Sequence, residues 1–132
     1  MLVVDASVLA TALADDGRDG DLARRRLLGE PLAAPQLIDL EVVSVLRRLT
    51  LAGQLPERRS ALALADLVDL PVRRAPHTPL LKRCWELRAN VTAYDAAYVA
   101  LAEMLDAVLV TTDERLARAS GLHCTIEVLH SA

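Results

Sequence analysis

Four carboxylates stand where a chain with strands and helices could bring them together. Asp5 directly follows the β-branched run Leu2–Val4, and Asp113 follows the run AVLVT by two residues. Asp95 lies in the first turn after Thr92, and Glu41 lies about a turn into an apolar helical stretch that begins near Gln36. Four such groups within reach of one another repel by several kcal/mol at low effective dielectric, and a divalent cation relieves that repulsion. Oxygen donors without an accompanying imidazole or thiolate suit Mg²⁺ or Mn²⁺, with positions left for water and phosphate oxygens. Such an ion activates a water or polarises a phosphodiester for in-line attack.

The elements that must position these acids follow from hydrophobic period and turn residues. LVV reads as a strand and ASVLATALA as a helix; DDGRDG (15–20) reads as a turn, and DLARRRLLG as a helix ended by Gly29. PLAAP is a short extended piece. Ile38, Val42, Val45, Leu46 and Leu49 form a helical stripe that ends at Gly53, and Pro56 opens a second helix that stops at Pro71, making a helical hairpin. PVRRAP reads as a strand, PLLKRCWELRA as a helix broken at Asn90, and AYDAAYVALAEML as a helix capped by Thr92. AVLVT is a buried strand, DERLARAS a short helix closed by Gly121, and CTIEVL a last strand. Alternating strands and helices predict a three-layer α/β/α sandwich with a mainly parallel sheet. In such a sheet, strand ends and helix starts collect on one rim, where ligands bind at the point of reversed strand order. All four acids fall on that rim.

Each acid also has a purely structural reading. Asp5 and Asp113 could be helix N-caps, and Asp95 the third-position partner of a Thr92 capping box. Glu41 resists this, because Leu37, Leu40 and Val45 make its surroundings apolar and an isolated carboxylate there is costly. Asp39, on the other side of the same helix, reads as a solvated residue. His77, His123 and His130 read as surface or core groups, and Trp85, Tyr94 and Tyr98 as packing residues. The Arg pairs at 47/48, 58/59 and 73/74 read as solvated faces, one of which could meet substrate phosphates.

Length and composition limit the alternatives. A chain of 132 residues with 53% hydrophobic and 25% charged residues is one domain spanning 1–132, not a disordered tail. With 15 basic against 18 acidic residues and 2% aromatics, neither a polybasic nucleic-acid tail nor an aromatic stacking platform fits. Cys84 and Cys124 lack metal or redox spacing and read as buried apolar groups of a reduced compartment. The N-terminus has no positive region before its apolar run, which Asp5 interrupts, so neither a signal peptide nor a membrane span is expected and the chain is expected to be cytoplasmic. Position 7 is Ser rather than a second Asp, which argues against haloacid-dehalogenase-type phosphatase chemistry. Lys82, the lone lysine, is poorly placed for that chemistry or for a receiver domain, and no dinucleotide or Walker glycine pattern occurs.

Taken together, VVDASVL, LIDLEVVSVLRR and NVTAYDAAYVALAEMLDAVLVTTDERLARA resemble the PIN-domain family, and within it the VapC-type toxins of toxin–antitoxin pairs. The resemblance implies an α/β/α sandwich with about five parallel strands and assigns Asp5, Glu41, Asp95 and Asp113 to an acidic metal site. Ser7 and Thr112 would be supporting polar residues, with Asn90 and Arg115 further out. It also implies Mg²⁺- or Mn²⁺-dependent endoribonuclease activity on structured RNA such as tRNA or rRNA. A homodimer, for which the apolar hairpin Gln36–Leu70 offers a face, and inhibition by a cognate antitoxin complete the expectation. The competing readings are a non-catalytic PIN-like module that binds RNA or protein, and a PIN nuclease that processes RNA or DNA outside any toxin role.

Overall fold

A computed structural model describes residues 1–130. Five parallel strands form one sheet in the order β3-β2-β1-β4-β5: β1 (Leu2–Val4), β2 (Leu32–Pro35), β3 (Arg73–Ala75), β4 (Val108–Thr111) and β5 (Ile126–Val128). Seven helices connect them: α1 (Ala6–Ala14), α2 (Arg18–Leu27), α3 (Ile38–Leu51), α4 (Glu57–Asp69), α5 (Leu81–Glu86), α6 (Ala93–Leu105) and α7 (Glu114–Arg118). All three β1 side chains are buried although successive residues point to opposite faces, so helices cover the sheet on both sides. This is the expected α/β class, and its five strands fall within the segments LVV, PLAAP, PVRRAP, AVLVT and CTIEVL read from sequence.

Packing with almost no aromatics relies on aliphatic and small residues. Ala96, Val99 and Ala102 on α6 are fully buried, and α6 packs against β1, β2 and β4. Small side chains let that helix approach the sheet closely. On α1, Val8 and Leu9 are buried, and this helix meets β4 as well as α2, α3 and α4.

Two boundaries differ from the sequence expectation. The helix α2 starts at Arg18, so Gly20 is helical rather than part of a turn. A Cβ at Gly20 would lie 1.8 Å from the Asp15 carbonyl oxygen, so the glycine permits the tight passage from α1 to α2. The expected helix after β3 is divided into a 3₁₀ turn at Thr78–Leu80 and the short α5, which ends before Leu87. By contrast, Gly53 ends the α3 segment in the left-handed region (φ +73°), as a glycine after a helix commonly does.

Arginine braces tie the periphery to the sheet. Arg26 of α2 makes a bidentate contact with Glu127 of β5, and Arg83 of α5 does the same with Glu103 of α6. Arg59 of α4 reaches Asp16, just beyond the end of α1, and the Leu13 carbonyl in its last turn. Asp39, expected to be solvated, instead accepts from Arg74 Nε at 2.8 and 3.0 Å. Arg74 also donates to the Leu67 and Leu70 carbonyls, so one guanidinium joins the end of α4 to the start of α3. Cys84 and Cys124 are free and partly buried. Among the described residues, no helix is long and apolar enough to cross a membrane.

Candidate active site at the sheet switch point

The strand order reverses between β1 and β4, and Asp5 and Asp113 follow these two strands. Asp5 caps α1, where its Oδ1 accepts the Val8 N–H at 3.1 Å and the Ser7 hydroxyl. Its Oδ2 accepts the hydroxyl of Thr111, the buried last residue of β4. Thr111 in turn accepts the Asp113 N–H at 3.0 Å, linking the two strand ends through one side chain. Each carboxylate oxygen offers two lone pairs, so Oδ1 is fully used while Oδ2 keeps one for a further partner.

Asp113 caps α7, accepting the Arg115 N–H at 2.9 Å, and its carboxylate lies 3.6 Å from the exposed Arg115 guanidinium. Asp95 sits in the first turn of α6, where its N–H donates to Thr92 Oγ1 at 3.1 Å. The N-cap roles expected of Asp5 and Asp113 are therefore present. At α6 the Thr92 half of the expected capping box is seen, and these local roles coexist with placement in a common cleft. Asp5, Glu41, Asp95 and Asp113 all line a cavity of about 340 Å³, joined by Ser7 and Thr112.

Glu41 enters this cleft from α3. Its Oε1 accepts the hydroxyl of Tyr98 at 2.7 Å, and Tyr98, three residues after Asp95, is buried on α6. The phenol expected to be plain packing thus serves the site. Of the apolar neighbours expected around Glu41, Leu37 and Val45 are partly buried but Leu40 points to solvent. Thr111 is the other residue that sequence reasoning missed. The T-x-D spacing contained it, but an unaided reading could not tell which of two adjacent threonines turns inward. Thr112 contributes its backbone N–H to Ser7 Oγ at 3.4 Å and lines the cleft. Asn90 lies elsewhere, bonded to Ser120 across a surface turn, because its amide satisfies the backbone there.

His77 has a supporting place just outside the cleft. The helix α3 has no side-chain cap at Leu37, and His77 Nε2 accepts the Leu37 N–H at 3.0 Å. This satisfies one of the donors left open at a helix start and, with the Arg74–Asp39 contact, holds the turn that carries Glu41.

Electrostatics set the cleft apart. Burial pushes the carboxyl of Asp5 above the usual range, against the lowering effect of its Ser7 and Thr111 hydrogen bonds. Burial raises Glu41 too, opposed by the Tyr98 hydrogen bond and reinforced by the charges of Asp95 and Asp5. Asp95 is raised by burial and then by the charge of Asp113. Tyr98 is driven far upward by burial and by its bond to Glu41, so it remains a donor. Neutral donors thus hold Asp5 and Glu41, and among the described residues neither pairs with a cationic side chain.

The donor set fits a hard divalent ion. Among the described residues, no three Asp, Glu, His or Cys side chains stand close enough to enclose an ion by themselves. An open cleft lined by oxygen donors nevertheless suits a hard divalent ion that keeps several waters and takes one or two carboxylates.

Comparison with known proteins places this geometry. The PIN domain family model matches residues 2–122. A VapC ribonuclease of Mycobacterium bovis is 44% identical over 129 residues, covering 98% of each chain. The crystal structure of Mycobacterium tuberculosis VapC20, described as a sarcin-ricin loop cleaving toxin, has the same fold. It aligns with a TM-score of 0.71 at 17% identity, covering 93% of this chain and 97% of that one. A chain of a toxin–antitoxin complex from Klebsiella pneumoniae aligns with a TM-score of 0.60 at 19% identity, covering 92% of each. The chain belongs to the PIN-domain family, as one of its VapC-type members.

Proposed function

We propose that this chain is the endoribonuclease toxin of a type II toxin–antitoxin pair and hydrolyses RNA phosphodiester bonds with Mg²⁺ or Mn²⁺ at the acidic cleft. The observation that carries the metal-dependent reading is the meeting of Asp5, Glu41, Asp95 and Asp113 in one cavity at the sheet switch point. Their mutual charge is countered there by few groups of the chain itself.

One or two of the carboxylates of Asp5, Glu41, Asp95 and Asp113 would hold the cation directly and the others through its waters. The ion would supply charge neutralisation at the phosphate and a more acidic bound water. The chain's own residues prepare the site. Ser7, Thr111 and the Val8 N–H fix the Asp5 carboxylate in one orientation, with Oδ2 able to take one more partner. Tyr98 orients Glu41 through Oε1. Glu41, oriented by Tyr98 at the cleft wall, is placed to accept a proton from attacking water where it does not itself bind the cation.

The partners follow from the same reading. The substrate is structured RNA of the tRNA or rRNA class, and the inhibitor is a cognate antitoxin, as the shared fold with a toxin–antitoxin complex supports. A homodimer would cover the apolar side chains that α3 and α4 expose, among them Leu40, Leu51, Leu62 and Val68. Light scattering that gives a monomer at micromolar concentration would remove this part. The compartment is the cytoplasm.

The decisive experiment incubates purified protein with total RNA in Mg²⁺ or Mn²⁺, with EDTA, and with the Asp5→Asn and Asp95→Asn variants. Cleavage is expected to need both metal and carboxylates. Loss of a ligand should cost several kcal/mol of transition-state stabilisation, or roughly a thousandfold in rate. Wild type and variants that bind RNA equally and cleave none of it would establish the non-catalytic alternative.

A further inference from the structure

The acidic cleft continues into a second cavity. This neighbouring groove, about 390 Å³, shares Ser7, Val45, Arg48 and Thr112 with the cleft and runs on between α1 and the end of α3. Its walls are the aliphatic side chains of Ala10, Ala14, Leu49 and Leu55, and Thr11, Asp15 and Gln54 complete the lining, with the Asp15 carboxylate already accepting the Gly17 N–H.

Arg48 occupies the junction. It lies seven residues after Glu41, with Val45 between them at helical spacing, so one stripe of α3 runs from the carboxylate to the guanidinium. Two helical turns separate their backbones by about 10 Å along the axis, and the Arg48 side chain lines both cavities. Most arginines near the core are spent on internal contacts, as with Arg26, Arg59, Arg74 and Arg83. Arg48 is exposed and, among the described residues, pairs with no carboxylate.

A polyanion entering a carboxylate-lined cleft needs a cation close by, and Arg48 is placed where both cavities meet. We propose that the groove is the subsite for the nucleotide next to the scissile phosphate, with its phosphate on Arg48, its base on the Ala10–Leu55 wall and its edge at the Gln54 amide. The assignment rests on the ribonuclease reading. No aromatic side chain lines the groove, so base stacking of the usual 1–3 kcal/mol is not available there. The phosphate contact therefore dominates, which makes binding salt-dependent and only mildly base-selective.

The probe is a fluorescein-labelled pool of random ten-nucleotide RNA, followed by anisotropy in EDTA across a range of salt concentrations. Binding is read without cleavage, so the result does not depend on turnover. Arg48→Ala should weaken binding about fivefold to tenfold at low salt and flatten the slope of log affinity against log salt by about 0.7, the value for one single-strand phosphate contact. Arg48→Lys should restore the slope. Arg47→Ala, on the neighbouring face toward α4, should leave it unchanged. When the pool is digested with Mn²⁺, Gln54→Ala should flatten base preference beside the cut without changing the salt slope. A wild type that does not bind the pool, or Arg48→Ala and Arg47→Ala with equal slopes, overturns the assignment. Failure of the wild type to cleave total RNA instead strikes the ribonuclease reading.

Discussion

The carboxylates of this protein fall into two groups with opposite physics. At the periphery, Glu103 and Glu127 are each held by a bidentate arginine, which pulls their carboxyls below the usual range. At the switch point, Asp5, Glu41 and Asp95 are raised by burial, and the last two also by neighbouring acids. The hydrogen bonds there come from Ser7, Thr111, Tyr98 and backbone N–H groups, which orient a carboxylate without neutralising it. Of the fourteen arginines, Arg26, Arg59, Arg74 and Arg83 close the outer elements, while among the described residues Asp5 and Glu41 have no cationic partner. A carboxylate paired with arginine has its charge countered; one oriented by hydroxyls keeps its charge open to a cation or a proton. On the proposed reading, that contrast separates bracing acids from metal-holding acids more clearly than burial does.

The sharpest way to test the contrast is to break one member of each group. Arg83→Met removes the bidentate partner of Glu103, whose side chain is 15% exposed and also accepts the His123 N–H. Leaving that carboxylate without its charged partner should cost about 1–3 kcal/mol, measured by urea unfolding, with RNA cleavage at low temperature preserved. The sign with pH follows from the lowered carboxyl of Glu103. The stabilisation is present above the ordinary Glu value of about 4.3 and is lost as pH falls through the folded value. Wild type and variant should therefore converge in acid. A variant equally destabilised at pH 7 and pH 3 would contradict the brace.

Asp95→Asn should act in the opposite direction. The folded-state carboxyl is raised, so its favourable contribution is complete below the ordinary Asp value of about 3.9 and fades as pH rises through the folded value. Without metal, wild type and variant should coincide near the acid end and separate toward neutrality, with the variant more stable by on the order of 1 kcal/mol. Mg²⁺ should close the gap by stabilising the wild type. Thermal melts at several pH values, with EDTA and with Mg²⁺, read both effects. A variant less stable than wild type at neutral pH in EDTA would show that Asp95 is chiefly a structural cap.

Much of the fold was legible because local patterns agree with tertiary demands. Strands β1, β2 and β4 are apolar runs, β3 (Arg73–Ala75) is marked instead by the prolines on either side of PVRRAP, and each long helix carries its period into the core. The exceptions arise where a distant partner decides. Gly20 looked like a turn glycine, but the close pass of Asp15 makes it a helix residue. Asp39 looked solvated because its partner, Arg74, is 35 residues away. The placement of the acids on one rim could be read from strand ends and helix starts. Their supporting hydroxyls could not, since Tyr98 follows the same inward spacing as any core residue and Thr111 differs from Thr112 only in strand alternation.

Tyr98→Phe tests the smallest and most specific element of the contrast. The substitution keeps the buried ring and removes the hydroxyl that donates to Glu41 at 2.7 Å. Stability should change little, because Glu41 borders the cleft and can take water in place of the phenol. The hydrogen bond lowers the carboxyl of Glu41 against burial and the charges of Asp95 and Asp5, so its loss moves that carboxyl further up. The acid limb of the pH–rate profile should shift toward higher pH, and the rate near neutrality should fall by roughly tenfold, in the range typical of groups that orient ligands from behind. If the acid limb stays in place while the rate falls, Tyr98 acts through packing alone, and the hydroxyl would not be what holds Glu41 ready without neutralising it.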